Sequence, residues 1–144
     1  MSATIQKIKG GSINPSTKDL IFSDFDFSFK QNPIDRDLLR VTNSGAIRQS
    51  LKNIILTSVG ERPFAPEFGS SIRRLLFENL SPIVAVELQT IIKYAIKNYE
   101  PRALVSGIVI AANYEKNGYE VTIVFSVINQ TTTEKIKILL ERIR

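Results

Sequence analysis

The chain has 144 residues and contains neither cysteine nor histidine. Disulfides, thiolate or imidazole metal sites, and Ser-His or Cys-His nucleophiles are therefore excluded in their usual form, and no cofactor is expected. Hydrophobic residues make up 43% and charged residues 23%, enough for one core in one domain and too apolar for a disordered chain. The formal charge of +5 suits a polyanion or an acidic protein surface. The cations are scattered, with no aromatic RNA-binding pattern and no reading helix, so a protein partner is expected and a nucleic acid is not. No apolar run approaches the roughly 18 residues of a membrane span, and the N-terminus lacks the core of a signal peptide. The expectation is a chain made and kept in a cytoplasm, away from any membrane.

Residues 1–20 are polar and interrupted by Gly10-Gly11 and Asn14-Pro15, the composition of an extended arm without its own core. From Ile21 to Phe29, Phe25, Phe27 and Phe29 alternate with Asp24, Asp26 and Ser28, which predicts a half-buried strand. Asp24 and Asp26 have no further ligand nearby and read as the solvated face of that strand, not as a metal site. Asn32-Pro33 breaks the segment. Thr42-Asn43-Ser44 then offers an N-cap to a helix whose apolar face is Ile47, Leu51, Ile54 and Ile55, stopping near Val59-Gly60.

The next stretch, GERPFAPEFGSSIRRLLFE (60–78), holds Pro63 and Pro66, Gly60 and Gly69, Phe64 and Phe68. Prolines fix φ and remove donors, and core-type aromatics pin a loop, so a rigid surface loop is predicted. Ser70 or Ser71 would cap a short helix that turns Ile72, Leu75 and Leu76 inward and Arg73 and Arg74 outward. Ser81-Pro82 starts a long helix, with Val84, Leu88, Ile91, Ile92, Ala95 and Tyr99 on one face and Lys93 and Lys97 toward its end. Pro101 stops it. Leu104 to Tyr114 is almost continuously apolar and predicts a strand covered on both faces. Asn117-Gly118 predicts a type I′ hairpin into a strand with Tyr119, Val121, Ile123, Phe125 and Val127 on one side. In the tail, Thr131 and Glu134 resemble a capping box, whereas Lys135 to Ile138 alternate; the preferred reading is a third antiparallel strand. The fold class is α+β: a single compact domain, residues 21–144, with a small antiparallel sheet against two or three helices.

ERPFAPEFGSSIRRLLFEN (61–79), the helix it feeds and NYEPR (98–102) together resemble the small baseplate wedge family of contractile tails, across roughly residues 44–142. The resemblance implies a domain similar to the sheath's linking domain, acting in assembly in the tail baseplate of a virion built in the host cytoplasm. Implied partners are other baseplate wedge proteins, the tail sheath protein and the tail tube or hub proteins, with six copies per baseplate. An exposed sheet edge offers unpaired backbone groups to a partner's strand, and strands 119–142 are the expected acceptor. The expected partner-binding residues are Arg62, Glu67, Arg73, Arg74, Glu100, Pro101 and Arg102, the last three matching the family's E-P-R signature. Glu100 would pair with Arg102, Arg62 or a partner's arginine.

The competing reading is a lysozyme-like peptidoglycan hydrolase, a label some members of the family carry. It needs two carboxyls across a sugar cleft, one with a raised pKa. The candidates Glu61, Glu67, Glu78 and Glu100 sit beside arginine or in polar context, which works against a raised value. No enzymatic activity is expected.

Overall fold

The computed structural model describes residues 22–33, 36–128, 130 and 132–142. The arm expected over 1–20 lies outside the described residues. The elements are β1 (Ser23–Phe25), β2 (Arg40–Thr42), α1 (Ser44–Leu56), α2 (Ile72–Leu75), α3 (Pro82–Tyr99), β3 (Ala103–Asn113), β4 (Gly118–Val127) and β5 (Thr133–Glu141). The fold is α+β, as expected. β1 and β2 form a two-stranded antiparallel ribbon, and the main antiparallel sheet runs β3-β4-β5. Among the described residues no helix is long and apolar enough to cross a membrane.

The core follows from β4. Its inward residues Tyr119, Val121, Ile123, Phe125 and Val127 are all essentially inaccessible, because β4 is the central strand and its inner face lies under the helices. Ile108 on β3 and Ile136, Ile138 and Leu140 on β5 extend that face. Against it pack Ile47, Leu51 and Ile55 of α1, Ile72 and Leu75 of α2, and Val84, Leu88, Ile92 and Ile96 of α3. The tail is a strand, not a capped helix: Glu134 reaches across to Arg48 of α1 at 2.6 Å, and hydrogen bonds from Ser44 and Arg48 outweigh its partial burial to hold its carboxyl below the usual range.

Several local expectations are corrected. The strand over 21–29 shrinks to Ser23–Phe25, because the Asp26 carboxylate takes the Ser28 N–H at 2.9 Å and turns the chain. Phe25, Phe27 and Phe29 are consequently all exposed. Helix α1 ends at Leu56, before Gly60, since the extended Thr57 turns its carbonyl to the Ser70 N–H at 2.9 Å. The Asn43 side chain does not cap α1; its Oδ1 accepts from the Phe22 N–H. Neither Ser70 nor Ser71 caps α2 through its side chain, and the Ser70 hydroxyl instead donates to the Ile55 carbonyl at 2.9 Å.

β3 is an edge strand covered on one face only: within its near-continuous apolar run Leu104, Val109, Ala111, Ala112 and the following Tyr114 are exposed. The β3–β4 connection is a four-residue loop, with Asn117 alone at positive φ (46°). Gly118 is required for a different reason: it is the first residue of β4, and a methyl group there would run into the Leu140 carbonyl and the Glu141 Cα of β5. Two glycine-to-alanine substitutions separate these effects. Gly118→Ala is expected to lower stability by about 1–3 kcal/mol, from overpacking against backbone that cannot retreat. Gly107→Ala meets open space and is expected to stay within about 0.5 kcal/mol of the parent. Urea unfolding of both variants checks this.

Candidate partner-binding surface

The corner after α3 is built around a buried carboxylate. Ser81 starts α3 by accepting the Val84 N–H, and Pro82 occupies the first helical position. At the other end Glu100 leaves the helical region while its N–H still bonds the Ile96 carbonyl at 2.8 Å. Pro101 cannot donate onward, and the Ala103 N–H closes the turn on the Glu100 carbonyl at 3.1 Å. The Arg102 carbonyl then accepts the Ile128 N–H at 3.0 Å, tying the corner to the end of β4.

Glu100 is 1% exposed. Arg102 meets it with two bonds, Nε to Oε1 at 2.5 Å and Nη2 to Oε2 at 2.8 Å. Burial pushes the Glu100 carboxyl up, but hydrogen bonds from Arg102 and Ser50 and the guanidinium charge outweigh it, so the net shift is downward. Arg102 is shifted upward, chiefly by its hydrogen bond to Glu100, and its other face lies 4.9 Å from the Phe22 ring centroid. Of the partners expected for Glu100, the structure selects Arg102.

The rigid loop reaches the same region. Tyr99, one residue before the corner, donates its hydroxyl to the Glu67 carbonyl, and its ring sits 5.1 Å from that of Phe68. Arg62 stacks over the same Phe68 ring, 4.0 Å from its centroid. Inside the loop the Gly60 N–H bonds the Pro66 carbonyl at 2.7 Å, and the Glu61 carboxylate accepts the Ser58 N–H at 2.8 Å. Phe68 is half-buried as predicted for a pinning aromatic. Phe64 is not: it is 102% exposed, because Ala65 to Phe68 turn the chain inward only after it.

Of the residues singled out from sequence, Arg62 and Glu67 are thus joined to Glu100, Pro101 and Arg102 through Phe68 and Tyr99. Arg73 and Arg74 stand apart, exposed on α2 and without an ion pair among the described residues. Tyr99, Ser50 and Phe22 complete the corner and lie outside the set of site residues expected from sequence. Tyr99 lies within NYEPR, so the motif itself carried the signal; Ser50 and Phe22 are distant in sequence and gave none.

The acid dependence of the corner has a definite sign. A folded-state carboxyl depressed below its ordinary value of 4.5 contributes stability that is complete above that value and lost as pH falls through the folded one. Wild type is therefore expected to lose stability more steeply below that pH than Glu100→Gln. Arg102→Ala at neutral pH is expected to cost about 2–3 kcal/mol, less than for a wholly buried pair because the Arg102 side chain is 42% exposed. Thermal unfolding across pH measures both.

Over residues 42–132 the chain matches the family described as baseplate wedge protein gp25. It is 37% identical over 121 residues to the baseplate wedge protein gp25 of Enterobacteria phage T4, covering 83% of this chain and 91% of that protein. Its fold is similar to that of a Geobacter sulfurreducens protein provisionally named a tail lysozyme, with a TM-score of 0.64, 20% identity, and 68% and 89% of the two chains covered. It is also similar to a chain of the anti-feeding prophage baseplate, with a TM-score of 0.60, 19% identity, and 85% and 87% covered. The family match spans more than half of the sequence, and the phage T4 relative is matched over nearly its whole length: the chain belongs to the baseplate wedge protein gp25 family.

Proposed function

We propose that this chain is a structural wedge component of a contractile-tail baseplate. In this reading it joins other wedge proteins and templates sheath polymerisation by accepting a partner's strand on its main sheet. The observation that carries the reading is the asymmetry of the two sheet edges. β5 pairs along its length with β4, and among the described residues its outer backbone groups have no backbone partner. Beside Ile136 and Lys137 of β5, a hollow of about 750 Å³ opens toward α1 and the Phe27 turn. β3, by contrast, is interrupted by a bulge between Val105 and Gly107, and Gln89 of α3 donates to its Ile108 carbonyl at 3.0 Å.

Of the expected acceptor, strands 119–142, only β5 supplies an edge, since β4 is interior. Glu100, Pro101 and Arg102, with Arg62 and Glu67 on the attached loop, would act by holding the sheet at a set angle to the helices. Arg73 and Arg74 would offer exposed charge to an acidic neighbour. Proposed partners are wedge proteins, the sheath protein and tube or hub proteins, with six copies per baseplate.

The hydrolase reading draws on the tail-lysozyme name of one structural neighbour, whose 20% identity carries the fold alone. The buried candidate Glu100 has its carboxyl held down by Arg102, the wrong direction for a general acid. Among the described residues no cluster of carboxylates fit to hold a metal ion is present.

Amide hydrogen exchange on the purified chain, with and without sheath protein, tests the acceptor. Residues 133–141 are expected to gain protection on mixing while 103–113 are unchanged. Protection confined to β3, or none at all on β5, would contradict the reading.

A further inference from the structure

Helix α3 is apolar on two sides. Val84, Leu88, Ile92, Ala95 and Ile96 face the core. At about 100° per residue, Ile83, Val86, Thr90, Tyr94 and Lys97 fall within about 80° of one another on nearly the opposite side. Three of these are exposed apolar residues: Ile83 at 79%, Val86 at 63% and Tyr94 at 64%. A helix apolar on both sides is normally covered on both.

Beside the stripe, two hollows open along the seam between α3 and β3. One, about 330 Å³, is lined by Ala85, Val86, Ile110 and Tyr114 among others. The second, about 440 Å³, is lined by Lys93, Lys97, Leu104 and Val105 among others. Their centres lie roughly eleven residues apart along α3, about 16 Å at about 1.5 Å per residue. That separation matches two side chains three turns apart on a second helix. A strand is a poorer occupant, because Gln89 and the bulge obstruct the β3 backbone between the hollows. Lys93 and Lys97 have no ion pair among the described residues and sit where an acidic neighbour would find them.

We propose that the outer stripe of α3 and its seam with β3 dock an amphipathic helix of another wedge protein, acidic where it faces Lys93 and Lys97. The inference rests on the wedge-joining reading above and names the partner's chemistry, on a surface separate from the β5 edge.

The test uses the full chain and a stapled helical peptide of about 20 residues, long enough to span both hollows. The peptide carries leucines eleven positions apart flanked by glutamates, and a second version replaces those glutamates with lysines. Fluorescence anisotropy should show the glutamate peptide binding at least about tenfold more tightly than the lysine peptide. Val86→Asp with Tyr94→Asp should weaken binding by at least about tenfold at an unchanged melting temperature. Lys93→Glu with Lys97→Glu should reverse the preference between the peptides. Hydrogen exchange should place protection on 82–99 and 103–113.

Equal affinity for both peptides, no binding, or protection on β5 would overturn the proposal. So would a dimer of the free chain that disappears in Val86→Asp, which would assign the stripe to a second copy. Because sheath-induced protection of β5 is read separately, failure of helix docking is distinguishable from failure of the edge reading.

Discussion

The two-bond contact between Arg102 and the buried Glu100 is the constraint on which the arrangement of this protein depends. A carboxylate removed from water costs several kcal/mol unless its oxygens are fully met, and here Arg102 and Ser50 meet them. Meeting them fixes three elements at once. Glu100 ends α3, Ser50 lies on α1, and Arg102 begins the run into β3 while its carbonyl holds the end of β4. At the other end of α3 a neutral counterpart does similar work: the buried Tyr119 hydroxyl accepts the Ser81 N–H at 2.8 Å and donates to the Ser81 carbonyl at 3.2 Å. The long helix is thus pinned to the sheet at both termini, and the apolar core fills the space between.

That pinning explains why the surfaces differ in character. The loop from Thr57 to Ser71 is held at its base by Ser70 and at its tip by Tyr99, so Arg62 and Glu67 are presented from a fixed platform. β3 is braced by α3 and obstructed along its edge, whereas β5 is braced from one side by the Arg48–Glu134 pair and has no backbone partner on its outer margin among the described residues. The strand addition proposed for β5 fits such a frame, because an edge held by its neighbours is presented without reorganisation.

The sequence was most legible where one residue type has one physical use. Ser81-Pro82 began α3 and Pro101 closed it, since a hydroxyl cap and two prolines leave little alternative. The clean alternation from Tyr119 to Val127 marked the central strand, because one of its faces is wholly buried. Legibility failed where tertiary contacts chose among equivalent local options. Ser70 could cap a helix or reach back to Ile55, and only the folded position of α1 selects the latter. The apolar run of β3 suggests double coverage because composition cannot tell an inner face from an exposed one. Asn117-Gly118 predicts a type I′ hairpin, yet the necessity of Gly118 comes from β5, more than twenty residues later. For the site, NYEPR marked the corner, but Ser50 and Phe22 enter it only through packing, which no local pattern encodes.

The most direct test of this account is a double-mutant cycle on the corner, with Glu100→Gln, Arg102→Met and the pair, read by equilibrium unfolding at neutral pH. The account predicts that the two substitutions are strongly coupled: each alone is costly, and the double variant is less destabilised than the sum by at least about 1 kcal/mol. Additive losses would mean that the two side chains stabilise the fold independently, and the corner would no longer explain how the sheet is held to its helices.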